Sequence, residues 1–272
     1  MSARRITTAI AVALLGAALV YPLYFALAAS LMPEEELFGG SRFPSRLVID
    51  HYRALFAGDT LWRPLGNSFL VALSTTASCI VIGTPCAYAI ARLRFPGRNA
   101  VVGAILTVSM FPQISIVSPL YLLLRTLGLI DSYPGLVLPY LTFAMPLAVW
   151  LLAGTLRELP PWLEEAALVD GATRFRALLY VVVPMALPGI ATTAILTFIY
   201  AYNEFLFALS FTVGPEHQTL PVAIALLRGR YQIPWGEVMA ASLMASLPVM
   251  LLVLAFQRRI ARSLSPGARS RR

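Results

Sequence analysis

The chain has 272 residues, 58% of them hydrophobic and only 12% charged, with a mean hydropathy of +0.76 and a formal net charge of +8. That balance excludes a water-soluble globular domain, because several uncharged stretches exceed the about 18–20 residues needed to cross a bilayer. The basic surplus reads as membrane topology, which removes the case for a nucleic-acid partner, and no polar segment is long enough for a separate soluble core.

Uncharged segments run from Ile6 to Pro33, Pro64 to Ala91, Asn99 to Leu124, Ser132 to Leu156, Ala177 to Asn203 and Val238 to Gln257. They predict an all-α polytopic membrane protein of six transmembrane helices forming one domain over residues 1–272. At about 1.5 Å rise per residue, even the last segment spans about 30 Å of hydrocarbon. Arg4 and Arg5 ahead of the first segment, and Ala26-Leu27-Ala28 within it, raise the alternative of a cleaved signal peptide. A signal core is about 7–15 residues, whereas 28 uncharged residues follow Arg5, so the segment is expected to remain as a span.

With both termini placed in the cytoplasm, Arg4, Arg5, Arg92, Arg94, Arg98, Arg157, Arg174, Arg176, Arg258, Arg259, Arg262, Arg269, Arg271 and Arg272 lie inside, fourteen of the 21 basic residues. Only Glu158, Glu164, Glu165 and Asp170 join them, leaving seven Arg and nine acids outside. Positive-inside asymmetry therefore favours this orientation.

Reactive chemistry has little to stand on. Cys79 and Cys86 sit about 10 Å apart along one helix, beyond the about 4.4–6.8 Å that a disulfide accepts. His51 and His217 have no third metal ligand at suitable spacing, and no Gly-x-Ser-x-Gly turn occurs. Prolines at 85, 112, 119, 139, 146, 188 and 248 fall within or near the helices, where each removes a backbone donor and invites a kink. Such kinks suit a gated path, although proline is common in membrane helices generally.

The segment from Arg157 to Arg176 is the polar island of the apolar chain. Pro160-Pro161 stops the preceding helix, and the sequence predicts two turns over Trp162–Val169, with Glu164 and Glu165 near the positive end and Trp162, Ala166 and Val169 on one face. Asp170-Gly171 breaks this helix through positive φ at the glycine, and Thr173 is placed to cap the next. Two readings follow: a connecting loop lying on the end of the bundle, or an elbow that docks into another protein. So short a helix is marginal without tertiary support.

Here a resemblance enters. Glu165-Ala166-Ala167, Gly171 and Val181-Val182-Val183-Pro184, in their spacing, resemble the EAA loop of permease subunits of binding-protein-dependent ABC importers, with Val181 and Val183 in place of the usual Ile and Leu. Asn67-Ser68, Ala87-Tyr88-Ala89-Ile90-Ala91-Arg92 with Phe95-Pro96-Gly97, Leu127-Gly128-Leu129-Ile130-Asp131 with Leu138-Pro139-Tyr140, Tyr202 through Leu209, and Phe256-Gln257-Arg258-Arg259 are similar to MalG-type subunits of carbohydrate importers. The resemblance covers about residues 64–262, with the coupling loop at 157–183; the end of the second helix and the run Met110-Phe111-Pro112 resemble trehalose- and maltose-type permeases most, with another solute such as a glycerol phosphate or an oligosaccharide as the alternative.

The resemblance implies a type I ABC importer permease fold in a prokaryotic cytoplasmic (inner) membrane. It implies a homologous MalF-type permease partner, two ATPase subunits inside and an extracytoplasmic sugar-binding protein. The chain would be a non-catalytic subunit with no cofactor of its own, ATP and Mg residing on the ATPase subunits. Independently, the sequence contains no Lys and so cannot form a Gly-rich phosphate loop ending in Lys. By resemblance, Trp162, Glu165, Ala166, Ala167, Asp170, Gly171, Ala172 and Pro184 carry ATPase coupling, and the tail from Ser263 to Arg272 reaches toward the ATPase interface, with Ser265-Pro266-Gly267-Ala268 departing from the usual pattern.

Two further groups are candidates. Tyr202, Asn203 and Glu204 close an apolar run; the acid and its neighbours either touch sugar hydroxyls in the path or make a structural or gating contact. Between Ser210 and Pro234, the turn-rich residues Gly214, Pro215, Glu216, His217 and Gln218 form either a simple connector or, by resemblance, a loop that reaches into the binding protein. A standalone secondary carrier or an intramembrane enzyme would need paired repeats with ion ligands, or convergent catalytic groups, and neither pattern is found.

Overall fold

The structure is a computed structural model and describes residues 3–39, 43–57, 59–227 and 233–263. The expected role of the tail beyond residue 263 therefore falls outside the described residues, as do residues 228–232 of the loop before the last helix. Every regular element among the described residues is helical: α1 (Ala3–Ser30), α2 (Glu34–Leu37), α3 (Asp50–Phe56), α4 (Trp62–Arg92), α5 (Arg98–Met110), α6 (Gln113–Thr126), α7 (Tyr133–Glu158), α8 (Trp162–Val169), α9 (Arg174–Ala177), a π-helical turn (Leu178–Val182), α10 (Val183–Tyr202), α11 (Leu206–Phe211), α12 (Leu220–Ala225) and α13 (Trp235–Ser263).

Five helical stretches are long and apolar enough to cross a membrane: Thr7–Ser30, Trp62–Arg92, Tyr133–Glu158, Arg174–Tyr202 and Trp235–Gln257. The remaining expected span, Asn99 to Leu124, is not one straight helix but the pair α5 and α6, bent by 94°. Pro112 is the cause. It has no N–H to continue the ladder and disfavours helical geometry in the residue before it, and Phe111 accordingly sits at φ −72°, ψ 134°.

The chain divides into two compact units, Met1–Leu65 with Leu220–Pro248 and Gly66–Thr219 with Val249–Arg272. In the first, the His51 ring lies 3.0 Å from the Met32 carbonyl oxygen and fills the space beside Gly236, where a Cβ would come within 2.4 Å of it. His51 is thus a packing residue. The Ser30 hydroxyl meets the Tyr52 hydroxyl at 2.8 Å, tying the end of α1 to α3. The membrane-length part of α1 has none of its 18-residue window buried, so its apolar surface is left for lipid or another subunit.

The second unit is built on α7 and α10. Its main apolar cluster joins Ala87 and Ile90 of α4, Val149, Leu152 and Leu156 of α7, and Leu178, Val182, Ala186 and Ile190 from the π turn and α10. Gly189 permits the close crossing of α10 on α7: a Cβ there would stand 2.2 Å from Thr155 Cγ2. The π turn ends two residues before Pro184, whose missing N–H and bulky ring disrupt the ordinary i→i−4 register over the preceding turn.

Candidate functional site: a helical elbow and a pinned loop

After α7, Leu159 turns to extended backbone and Pro161 begins the next helix, its carbonyl accepting from the N–H groups of Glu164 and Glu165 at 3.1 Å each. The helix ends in a Schellman arrangement: Ala172 N–H donates to the Ala167 carbonyl (3.0 Å), Gly171 N–H donates to the Leu168 carbonyl (3.1 Å), and Gly171 takes φ +84°. Thr173 then caps α9, its hydroxyl accepting from the Arg176 N–H at 3.3 Å. Every junction in this elbow thus has a local chemical reason.

The two sides of α8 differ. Trp162 is 63% exposed and Val169 87%, and Glu165 and Ala166 are also exposed, so an apolar patch with one carboxylate faces away from the chain. Ala167 and Ala172 are half-buried, while Asp170, Gly171 and Pro184 are exposed. Glu164 points the other way and is buried. Its carboxylate accepts a hydrogen bond from the Tyr88 hydroxyl and lies 3.6 Å from Arg92 Nε, both on α4. Arg92 also donates from Nη2 to the Leu159 carbonyl at 2.7 Å. Sequence reasoning singled out Glu165 and passed over Glu164, Tyr88 and Arg92, although Tyr88 and Arg92 stand within the Ala87–Arg92 motif. The available signal was a hydroxyl and a cation four residues apart, on one face at the end of an apolar helix.

The triplet after α10 is spread over three environments. Tyr202 is buried, its ring 5.6 Å from those of Phe69 and Phe198. Asn203 is exposed and its amide donates back to the Ile199 carbonyl at 2.7 Å. Glu204 is buried and its carboxylate accepts from the N–H groups of Phe207 (2.8 Å) and Ala208 (3.1 Å), capping α11. Burial pushes this carboxyl up from its usual range, against the opposing pull of the Phe207 amide, the Tyr140 hydroxyl and the amides of Ala208 and Leu206. The geometry therefore favours a structural contact for Glu204.

The loop at 213–218 is held in place. The Asn67 side-chain amide donates to the carbonyls of both Glu216 and Gln218 at 2.9 Å, while the Tyr133 hydroxyl donates to Asn67 Oδ1 at 2.9 Å. Asp131, at φ +56°, receives the Val213 N–H at 3.2 Å and its own N–H donates to the Phe211 carbonyl at 2.8 Å. His217 Nδ1 stands 3.5 Å from Asp131 Oδ1, with the Tyr133 ring edge-on at 4.9 Å. Gly214 lies beside Asp131, and Val213, Pro215 and Glu216 remain exposed. Asn67, Asp131 and Tyr133 were missed as site residues because their partners lie up to 151 positions away. Among the described residues, no group of three His, Cys, Asp or Glu could hold a metal.

Residues 80–266, which include the whole elbow, match the family of binding-protein-dependent transport system inner membrane components. The chain belongs to this family. It is 44% identical over 249 residues to the trehalose transport system permease protein SugB of Mycobacterium tuberculosis, covering 91% of each chain. It is 35% identical over 268 residues to the trehalose/maltose transport system permease protein MalG of Thermococcus litoralis, covering 97% of this chain and 96% of that one. The solved structure of a bacterial ABC transporter involved in the import of the acidic polysaccharide alginate contains a chain that superposes with a TM-score of 0.80 at 21% identity, over 93% of this chain and 95% of that one. The fold is that of a type I ABC importer permease, and the chain is a multi-pass, non-catalytic permease subunit of an ABC importer of sugars or related solutes.

Proposed function

We propose that this permease is the MalG-type half of a disaccharide importer, for a sugar such as trehalose or maltose, and that α8 is the element through which an ATPase subunit drives it. The observation that carries the second part is the two-sidedness of α8. Its eight residues expose Trp162, Glu165, Ala166 and Val169 while burying Glu164, so the helix is anchored from behind and offers a free apolar face in front. An apolar patch carrying a single carboxylate suits a cleft with a basic group at its rim, where a partly desolvated charge pair contributes to holding the partner.

In this reading both termini and the elbow are cytoplasmic, consistent with the arginine-rich ends of the chain. A MalF-type permease completes the path, an extracytoplasmic binding protein delivers the sugar, and ATP with Mg is bound and hydrolysed on two ATPase subunits. Closure of the ATPase pair moves the elbow, and α10 carries the movement into the membrane. The pinned loop then presents Val213, Pro215 and Glu216 to the binding protein as a preformed surface, which spares the entropy of ordering it on contact.

The sugar preference rests on the relatives' names and is tested by transport. The complete importer in proteoliposomes should accumulate labelled trehalose or maltose in the presence of ATP and its binding protein. Uptake of an unrelated solute alone, with neither disaccharide competing, would replace the substrate class while leaving the permease role intact.

A further inference from the structure

Chain continuity through α9 and the π turn ties α8 to α10, but it does not explain why a carboxylate, a guanidinium and a phenol are gathered behind the elbow. Glu164 lies in the first turn of α8 and Arg92 in the last turn of α4, so each charge also sits at the helix end whose dipole favours it. Glu164 accepts from the Tyr88 hydroxyl and lies at ion-pair distance from Arg92. Arg92 is the node, since its Nη2 donates to the carbonyl of Leu159, the residue that follows α7. Side chains of Arg92 and Glu164 retain only 11% and 9% of their exposure, so the pair is shielded from the solvent screening that weakens surface ion pairs.

A shielded charge pair whose two members each hold a further hydrogen bond, to Tyr88 and to the Leu159 carbonyl, contributes little net stability over an apolar replacement, yet separating it strands a charge. It therefore resists sliding better than the apolar contacts around it. We infer that the Tyr88–Glu164–Arg92 cluster is a second attachment of the coupling helix, which makes displacement of α8 act on the ends of α4 and α7 as well as on α10. Tyr88 and Arg92 are then positioning residues for transport: they touch neither ATP nor sugar, and they set how much of the elbow's movement reaches the spans. This inference rests on α8 being the ATPase-coupling element.

The test uses the complete importer in proteoliposomes, reading ATPase co-purification, ATP turnover and sugar uptake together. Tyr88→Phe removes one hydroxyl from α4 without altering the exposed face of α8, and Glu164→Gln keeps the shape while removing the charge. Both variants are expected to retain the ATPase subunits and to keep hydrolysing ATP. Sugar moved per ATP should fall about five-fold or more, the lower end of typical coupling between sites. In a chain whose Cys79 and Cys86 are replaced by Ser, a short bifunctional thiol reagent joining Tyr88→Cys to Glu164→Cys should raise the ratio again, a rescue that a merely stabilising role would not require. Wild-type transport per ATP in both variants would overturn the inference, and so would loss of the ATPase subunits from both, which would make the cluster a prop for the docking face. Glu165→Ala, run alongside, reports separately on docking: full ATPase retention in that variant would contradict the coupling role of α8 itself, whatever the Tyr88 result.

Discussion

The elbow and the loop at 213–218 are both short, turn-rich and polar in an apolar chain, yet they are held by different forces. Behind the elbow stands a buried ion pair with a phenol, and the helix it holds is free on its other side. Around the loop the ties are mostly neutral, with the Asn67 amide bonded to two backbone carbonyls and the half-exposed Asp131 and His217 side chains completing them. Neutral bonds to backbone fix shape at small cost when distorted, whereas a buried charge pair resists partial displacement. The difference suits a part that must transmit force and a part that must only present a surface.

Four substitutions break or sharpen this contrast. The largest effect is expected from Glu165→Ala on the free face of α8, because truncating one side of a desolvated charge pair costs about 2–5 kcal/mol of association; ATPase subunits should be lost from the purified complex while the permease remains in the membrane. Next is Gly171→Val, where a β-branched residue at φ +84° is strained by about 1–3 kcal/mol and the Schellman cap is lost. Transport per ATP should drop, and wild-type uptake in proteoliposomes would show that the turn tolerates a side chain.

On the loop side, Asn67→Ala leaves two carbonyls and a phenol without their partner, at a cost of about 1–2 kcal/mol. Basal ATP hydrolysis should persist and stimulation by loaded binding protein should weaken; unchanged stimulation would make the loop a plain connector. His217→Gln should have the smallest effect, since a half-exposed pair is worth about 0–1 kcal/mol. A melting-temperature shift as large as that of Asn67→Ala would assign the loop's anchorage to Asp131 and His217 instead.

The elbow was legible in the sequence because local rules govern it. Pro160-Pro161, Gly171 and Thr173 each fix backbone within one turn of themselves, and α8 runs from Trp162 to Val169 as expected. The break at Pro112 was less visible, since one proline in a long apolar run reads as a tolerated kink until the geometry of Phe111 shows the helix ending. Glu164 and Asn67 could not be assigned from the sequence. Their roles depend on Tyr88 and Arg92 in one case and on Glu216 and Gln218 in the other, pairings made by tertiary packing across many residues. For Glu204 the sequence left a sugar contact and a structural or gating contact open, because an acid beside an apolar run is costly in either case, and its occupation by the amides of Phe207 and Ala208 offsets that cost locally.

The most direct test of the coupling role is a crosslink from the free face of α8. Val169 is 87% exposed and close to the turn, so Val169→Cys, in a chain whose Cys79 and Cys86 are replaced by Ser, offers one reactive thiol there. In the assembled importer this thiol should join to an ATPase subunit in high yield, both without nucleotide and with ATP held unhydrolysed. An intact, ATP-hydrolysing complex in which Val169→Cys remains freely reactive toward a soluble thiol reagent and never crosslinks to an ATPase subunit would contradict it.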